Sequence, residues 1–173
     1  RIGTSGGIGT QPGSLVISTQ SVDGELNPWL TKKILGKPLK RPAEFSEELC
    51  YDLLRVAESL PEMKDVPVLC GKTMCAEDFY ETQARLDGAI CEITEPEKIA
   101  FLKKAYSLGV RNIEMESLAF SAFTHHLNIK AACICATLLD RLQGDQLVIG
   151  SKTIESFTNR AIHVVTTYIS RKL

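Results

Sequence analysis

Between Ala131 and Leu139 the chain carries its longest apolar run, AACICATLL, and a turn-rich charged segment follows at once from Asp140 to Gln146. Nine residues are far too few to cross a bilayer, which takes about 20 in a helix. A short apolar run bounded by turn residues instead predicts a buried strand, here over 129–139. Such a strand needs other elements packed on both of its faces, and the rest of the chain has to supply them.

The remaining pattern does so. Leu15-Val16-Ile17 after Pro12-Gly13 predicts a short strand leaving a turn. Ser46 followed by Glu47 and Glu48 predicts a helix cap, with Leu49, Leu53, Leu54, Ala57 and Leu60 as the apolar stripe and Pro61 as the stop. A strand is predicted over 66–73. Thr94-Glu95-Pro96-Glu97 is a capping box, and its helix runs to about Leu108, with Gly109 at the stop. Then come a strand over 110–115, a helix over 117–126, the buried strand, and a last helix opened by Ser151. Residues 24–44, with two glycines and three prolines, predict a long irregular segment. Strands that alternate with helices predict one α/β domain over 1–173 with a mixed, largely parallel sheet.

Composition narrows the function. Hydrophobic residues make up 44% of the 173 residues and charged residues 24%, which suits a packed domain. The net charge is −1 with Lys and Arg spread along the chain, so no footprint for nucleic acid or an anionic membrane appears. The six cysteines form no CxxC pair and have no His or Cys partners at zinc spacing. They are expected to be buried free thiols in a reducing, cytoplasmic setting, and no metal is expected. Cys133 and Cys135 should face one side of their strand.

Four segments hold polar groups that packing explains poorly. In RIGTSGGIG, residues 1–9, glycines admit a ligand close to the backbone and Arg1 offers a forked charge suited to phosphate; a plain flexible turn reads equally from the same residues. In FYETQARLDG, residues 79–88, Gln83 can pair with an N–H and a neighbouring carbonyl on one ring, Arg85 can donate to a second carbonyl, and Phe79 can stack. A solvated loop with Phe79 in the core is the bland counterpart. In NIEMES, residues 112–117, Glu114 and Glu116 flank Met115 at a strand end, where a carboxylate suits a ribose diol; a helix dipole explains Glu116 but not the pair. In TLLDRLQGDQ, residues 137–146, the apolar start could wall a pocket, and Asp140 and Arg141 could equally form a surface ion pair.

In order and rough spacing these four motifs resemble the uridine phosphorylases, the pyrimidine branch of the nucleoside phosphorylase family. EMES is similar to the wider family, and the Gln-x-Arg of residues 83–85 points to uracil. The resemblance implies a nucleoside-phosphorylase-like three-layer fold and reversible phosphorolysis of uridine to uracil and ribose 1-phosphate, in pyrimidine nucleoside salvage and catabolism. Inorganic phosphate is then a co-substrate, no cofactor is needed, and the full-length protein is a homodimer.

It also implies roles. Arg1 and Thr4 would contact phosphate, and Thr4 also the ribose. Gly6 would lie against the base and Phe79 would pack on it. Gln83 would pair with N3–H and O2, and Arg85 would reach O4. Leu138 and Leu139 would line the base pocket. Met115 would pack on the sugar, and Glu116 would accept from its hydroxyls. Glu114 would support the strand and Arg141 would stand behind O4. Uracil leaves as an anion, so donors at its carbonyls stabilise the transition state more than the substrate. No nucleophilic side chain is required, and His125, His126 and His163 read as structural or solvated.

There are departures. The family usually has Gly at the positions of Thr82 and Ala84. Asp140 lies near where purine-cleaving relatives carry a proton-donating Asp, so a purine nucleoside phosphorylase or a related nucleosidase stays open. Arg1 opens directly into the glycine motif with no Met before Met63, so a chain lacking the N-terminal part of its family is expected. Residues 1–173 alone are then expected to leave a sheet edge exposed and to be inactive. A truncated, non-catalytic subunit is the third reading.

Overall fold

The computed structural model describes residues 1–173. Its strands are β1 (Ile2–Gly7), β2 (Leu15–Val22), β3 (Trp29–Ile34), β4 (Lys37–Pro42), β5 (Val68–Cys75), β6 (Val110–Glu114) and β7 (Cys133–Asp140); its helices are α1 (Glu47–Ser59), α2 (Glu95–Ser107), α3 (Ser117–His126) and α4 (Ser151–Lys172). Five strands close on themselves in the order β1-β6-β5-β2-β7. Pairings β1/β7, β2/β5 and β5/β6 are parallel, and β1/β6 and β2/β7 antiparallel. The sheet is thus mixed and largely parallel, as its strand–helix alternation predicts.

The open sheet edge expected of this chain is absent, because β1 pairs β7 on one side and β6 on the other. Closure removes the unpaired backbone groups that an edge would present. The glycine motif at residues 1–9 is correspondingly a strand over most of its length and not a flexible turn. Between the strands a polar ladder runs through the interior: Asn112 Nδ2 donates to Ser5 Oγ at 3.0 Å, Thr73 Oγ1 donates to Asn112 Oδ1 at 2.7 Å, and Ser18 Oγ, with the Thr73 proton so engaged, donates to Thr73 Oγ1 at 2.5 Å. All four residues are buried, and each of these groups is paired, which is what makes a polar interior tolerable.

Helices cover the strands. Ser46 caps α1 by accepting from Leu49 N, and the full capping box of Thr94 and Glu97 opens α2. The largest apolar cluster joins α1 and α4 to β2 and β7 through Leu53, Val56, Ile17, Ile134, Ala161 and Val164. A second lies beneath α2, around Leu102, Met74 and Ile113.

The segment 24–44 is not irregular. β3 and β4 form a two-stranded hairpin turned at Leu35-Gly36, both with positive φ (50° and 77°). That is the backbone a tight two-residue hairpin turn requires, and a Leu in its first position concealed it. Pro38 and Pro42 are tolerated because β4 is an edge strand. Elsewhere the strands run 68–75 and not 66–73, 110–114 and not 110–115, and β7 starts at Cys133, four residues later than 129.

Candidate active site

Along β1, beside the C-terminal ends of β6 and β7 and the loop of residues 79–87, a cavity of about 560 Å³ opens. Ligands of α/β sheets gather at such strand ends. Its wall contains all twelve residues to which the resemblance assigns a role: Arg1, Thr4, Gly6, Phe79, Gln83, Arg85, Glu114, Met115, Glu116, Leu138, Leu139 and Arg141. Segments up to 140 residues apart in sequence thus converge on one space.

Local backbone features set this up. Alternation would send Leu138 and Leu139 to opposite faces of β7. The register against β1 slips there, with Ser5 opposite Thr137 but Gly6 opposite Leu139, so Leu138 is the extra residue of a bulge. The bulge lets both leucines reach the cavity. Gly6 is fixed by close approach: a Cβ there would stand 3.0 Å from Arg141 Cγ, whose side chain crosses β1 at that point.

On the donor side, Arg141 is 1% exposed and is no surface ion pair. Its Nε donates to Asp145 Oδ1 at 2.9 Å, its Nη1 to Gln83 Oε1 at 3.1 Å and its Nη2 to the Gln83 backbone carbonyl at 2.7 Å. Arginine has no acceptor, so the Gln83 atom facing it is the amide oxygen. Burial pushes the Arg141 guanidinium down from its usual value, and Asp145 opposes this. Arg85 chelates Asp87, Nε to Oδ1 at 2.7 Å, and its guanidinium lies 4.7 Å from the Phe79 ring centre. The hydrogen bond to Asp87, ahead of opposing burial, raises the Arg85 value. Phe79 itself is half exposed at the cavity and not in the core.

On the carboxylate side, Glu114 is buried and accepts from Arg1 Nε at 2.9 Å, from Glu116 N at 3.1 Å and from Ser117 N at 2.9 Å. It therefore closes the first turn of α3 as well as anchoring Arg1, a stronger role than supporting a strand. Arg1 Nη2 also contacts the exposed carboxylate of Glu116. Burial lowers the Arg1 value, but the Glu114 hydrogen bond and the negative charges around it together outweigh burial and leave it raised. The groups expected to meet phosphate and ribose are thus paired with each other.

Asp140 stands outside the cavity wall and accepts from Gly9 N at 2.9 Å and Leu142 N at 3.1 Å. The two departures from glycine are visible in the loop. Ala84 has φ 53°, a left-handed conformation that costs a residue with a Cβ about 1–2 kcal/mol. Thr82 instead uses its hydroxyl, accepting from Glu77 N at 3.0 Å and Asp78 N at 2.8 Å, which braces the loop.

Sequence reasoning missed Lys98, Asp145, Gln146 and Leu147. Asp145 and Gln146 lie within a quoted motif but carried no assigned role, and Lys98 looks like any charged helix residue. Lys98 is 4% exposed and donates to Asp145 Oδ1 at 2.6 Å. All six cysteines are free; Cys70 and Cys91 are exposed, against the expectation of burial, and the Cys133 and Cys135 sulfurs lie 3.8 Å apart on one side of β7. Burial pushes the Cys50 and Cys75 thiols up to about 12. His125 and His126 are exposed, and His163 pairs with Glu62 at the surface. No helix is long and apolar enough to cross a membrane.

Fold and cavity together define an α/β protein with a cavity lined by amide and guanidinium donors, carboxylates and an aromatic ring. More narrowly, the chain belongs to the Phosphorylase superfamily, whose profile matches residues 1–171. It is 44% identical over 172 residues to the uridine and thymidine phosphorylase of Caenorhabditis elegans, covering 99% of this chain and 57% of that relative. It is 34% identical over 171 residues to a Schistosoma mansoni protein named inactive uridine phosphorylase B, again covering 57% of it. A crystal structure of Schistosoma mansoni uridine phosphorylase in complex with 5-fluorouracil superposes with a TM-score of 0.93 at 38% identity, over 98% of this chain and 58% of that one. The chain thus spans little more than half the length of the relatives it matches.

Proposed function

We propose that this chain forms the nucleoside-binding part of a uridine phosphorylase, which converts uridine and phosphate to uracil and ribose 1-phosphate. One observation carries the reading: Gln83, Arg85 and Phe79 line a single cavity together with Glu116 and Met115. An amide and a guanidinium suit the carbonyl edge of uracil, and a carboxylate beside a thioether suits a ribose. Hydrogen-bond donors on the base side favour uracil leaving as an anion. Inorganic phosphate is the co-substrate and no further cofactor takes part. A homodimer, a cytoplasmic site and a place in pyrimidine salvage belong to the same proposal; sedimentation and cell fractionation test the first two.

The test uses the protein expressed from its complete reading frame. Gln83→Leu should cost about 2–4 kcal/mol in kcat/KM for uridine, the scale of one lost donor to a developing anion. Turnover of inosine equal to that of uridine would overturn the uracil reading. The engagement of Asp140 with Gly9 and Leu142 counts against the purine alternative.

A second reading, a non-catalytic subunit, is favoured for residues 1–173 alone by charge. Each guanidinium on the cavity wall is already paired with a carboxylate: Arg1 with Glu114 and Glu116, Arg85 with Asp87, and Arg141 with Asp145. The 173 residues by themselves should bind uracil without releasing it from uridine in saturating phosphate. Turnover within tenfold of that from the complete reading frame would defeat this expectation.

A further inference from the structure

Lys98 has no place in the scheme above. It projects from the first turns of α2, two residues after a proline and next to the capping Glu97, where a lysine is ordinarily solvated. Here its ammonium is buried and lies 2.6 Å from Asp145 Oδ1. Burying an ammonium is costly unless it is paired and hydrogen-bonded. The pairing is shared: the same Oδ1 accepts from Arg141 Nε, and Oδ2 accepts from Leu86 N at 3.0 Å. Asp145 therefore ties three segments together, namely α2, the turn after β7, and the loop that carries Gln83.

We propose that Lys98 is a positioning residue for base recognition: through Asp145 and Arg141 it fixes which atom of the Gln83 amide faces which atom of the base. The inference rests on the uracil reading given above. Two Arg141 nitrogens bear on Gln83, one on the side-chain oxygen and one on the backbone carbonyl, so Arg141 holds both ends of that residue. Rotation of the amide by half a turn would bring Nε2 against Nη1, donor against donor. While Arg141 is held, the amide has one orientation. Its oxygen keeps a second lone pair for a ring N–H, and its nitrogen makes no hydrogen bond within the chain and is left to donate to a carbonyl. Uracil offers an N–H beside a carbonyl and fits. Cytosine offers an unprotonated ring nitrogen and sets lone pair against lone pair.

Asp145 is the hinge of this arrangement. With Lys98 present, its carboxylate is held by an ammonium and an amide while it orients Arg141. Without Lys98, the carboxylate keeps only Arg141 and Leu86 N, and Arg141 can swing with it. An unpinned amide can turn over and donate through its nitrogen to the unprotonated ring nitrogen of cytosine, with its oxygen accepting from the exocyclic amino group beside that nitrogen. A buried ion pair that merely fastens α2 would leave this choice untouched.

The test compares Lys98→Met with Lys98→Arg in the protein expressed from its complete reading frame. Calorimetry measures uracil and cytosine binding, and NMR follows the Gln83 side-chain amide in protein labelled with ¹⁵N-glutamine, assigned by its disappearance in Gln83→Leu. In Lys98→Met the uracil-over-cytosine preference should narrow by about tenfold or more, a shift of about 1.4 kcal/mol. The Gln83 amide protons should exchange faster with water, and Lys98→Arg should restore both. Uracil and cytosine weakening in proportion, or an unchanged Gln83 amide, overturns the inference. Failure of the unmodified protein to bind uracil instead defeats the uracil reading, and the ligand-free Gln83 signal still decides whether Lys98 holds the amide. Should Lys98→Met not fold, the double variant Lys98→Met/Asp145→Asn removes both charges together, and the same narrowing is expected of it; a preserved preference there overturns the inference equally.

Discussion

Arg141→Met probes the network behind the cavity through stability, independently of any ligand. Methionine keeps most of the aliphatic stem, so the substitution removes chiefly the charge and three hydrogen bonds. Two of these end on Gln83, itself 5% exposed, and one on Asp145. A buried acceptor left without a partner costs about 1–3 kcal/mol. Asp145 keeps Lys98, so no carboxylate is stranded alone, and water from the cavity can reach the Gln83 oxygen. Both points hold the loss near the 3–5 kcal/mol typical of breaking a buried pair, about 3–4 kcal/mol here. That is a large share of the roughly 5–15 kcal/mol that stabilises a domain. At about 2–4 °C per kcal/mol for a chain of this size, the melting temperature should fall by roughly 6–16 °C. Arg55→Met is the control: its side chain is 72% exposed in an ion pair with Asp52, and surface pairs are worth about 0–1 kcal/mol. Thermal and urea denaturation measured on both variants decide the matter. An Arg141→Met loss below about 1 kcal/mol, or no larger than that of Arg55→Met, would refute the view that this guanidinium is a buried linchpin of the site.

Ala84→Gly should raise stability by about 0.5–1 kcal/mol, because glycine relieves the left-handed backbone at φ 53° while adding freedom to the unfolded chain; a lower urea midpoint would contradict this. Thr82→Val should speed hydrogen exchange at the Glu77 and Asp78 amides, which lose their acceptor, and unchanged protection there would show that the hydroxyl braces nothing. Asp145 should confer a pH dependence: burial raises its carboxyl, but the Leu86 amide, Lys98 and Arg141 together outweigh burial and hold it below the usual range. With the folded value depressed, its contribution is fully present above the unfolded value of about 3.9 and is lost as pH falls through the folded one. Unmodified protein should therefore lose more stability than Asp145→Asn between about pH 4 and pH 2, and parallel curves would count against the coupling.

Much of the fold was legible in sequence because its signals were local. Ser46 and the Thr94–Glu97 box mark helix starts by side-chain chemistry, and α1 and α2 begin where these residues place them. β1 was obscured for the opposite reason: its glycines carry no hydrophobic alternation, and its strand character comes from pairing with β7, a partner more than 130 residues away. The hairpin was hidden by Leu35, whose left-handed backbone no leucine advertises. At the site, the four motifs and their resemblance to the uridine phosphorylases were enough to gather twelve residues onto one wall. They were not enough to separate Arg141 from a surface ion pair, because Asp140 beside it in sequence points to Gly9 while its true partner, Asp145, lies one helical turn on. Lys98 was invisible outright. Its burial depends on how α2 lies against the turn after β7, which no spacing within the helix encodes.

The electrostatics of the cavity bear on how such a site divides its labour. Its wall carries Arg1, Arg85 and Arg141 against Glu114, Glu116 and Asp145, an even balance, with Asp87 and Lys98 as further members just behind. Pairing of this kind serves recognition of a neutral nucleoside. Each charge is held in place by its opposite, so donors and acceptors are presented in fixed directions at little cost in reorganisation when the ligand arrives. It serves a phosphate anion poorly, since a dianion gains most from cations that are not already neutralised. Of the three arginines, Arg141 is buried and spends three nitrogens within the fold, and Arg85 is chelated by Asp87. Arg1 is different. One of its partners, Glu116, is exposed and is the carboxylate proposed to take the ribose hydroxyls. Ribose binding would therefore draw Glu116 away from Arg1 and free part of that guanidinium for phosphate, while Glu114 keeps it in position. Under the proposed function the nucleoside and phosphate would then be coupled through one ion pair, with nucleoside binding preparing the charge that phosphate requires.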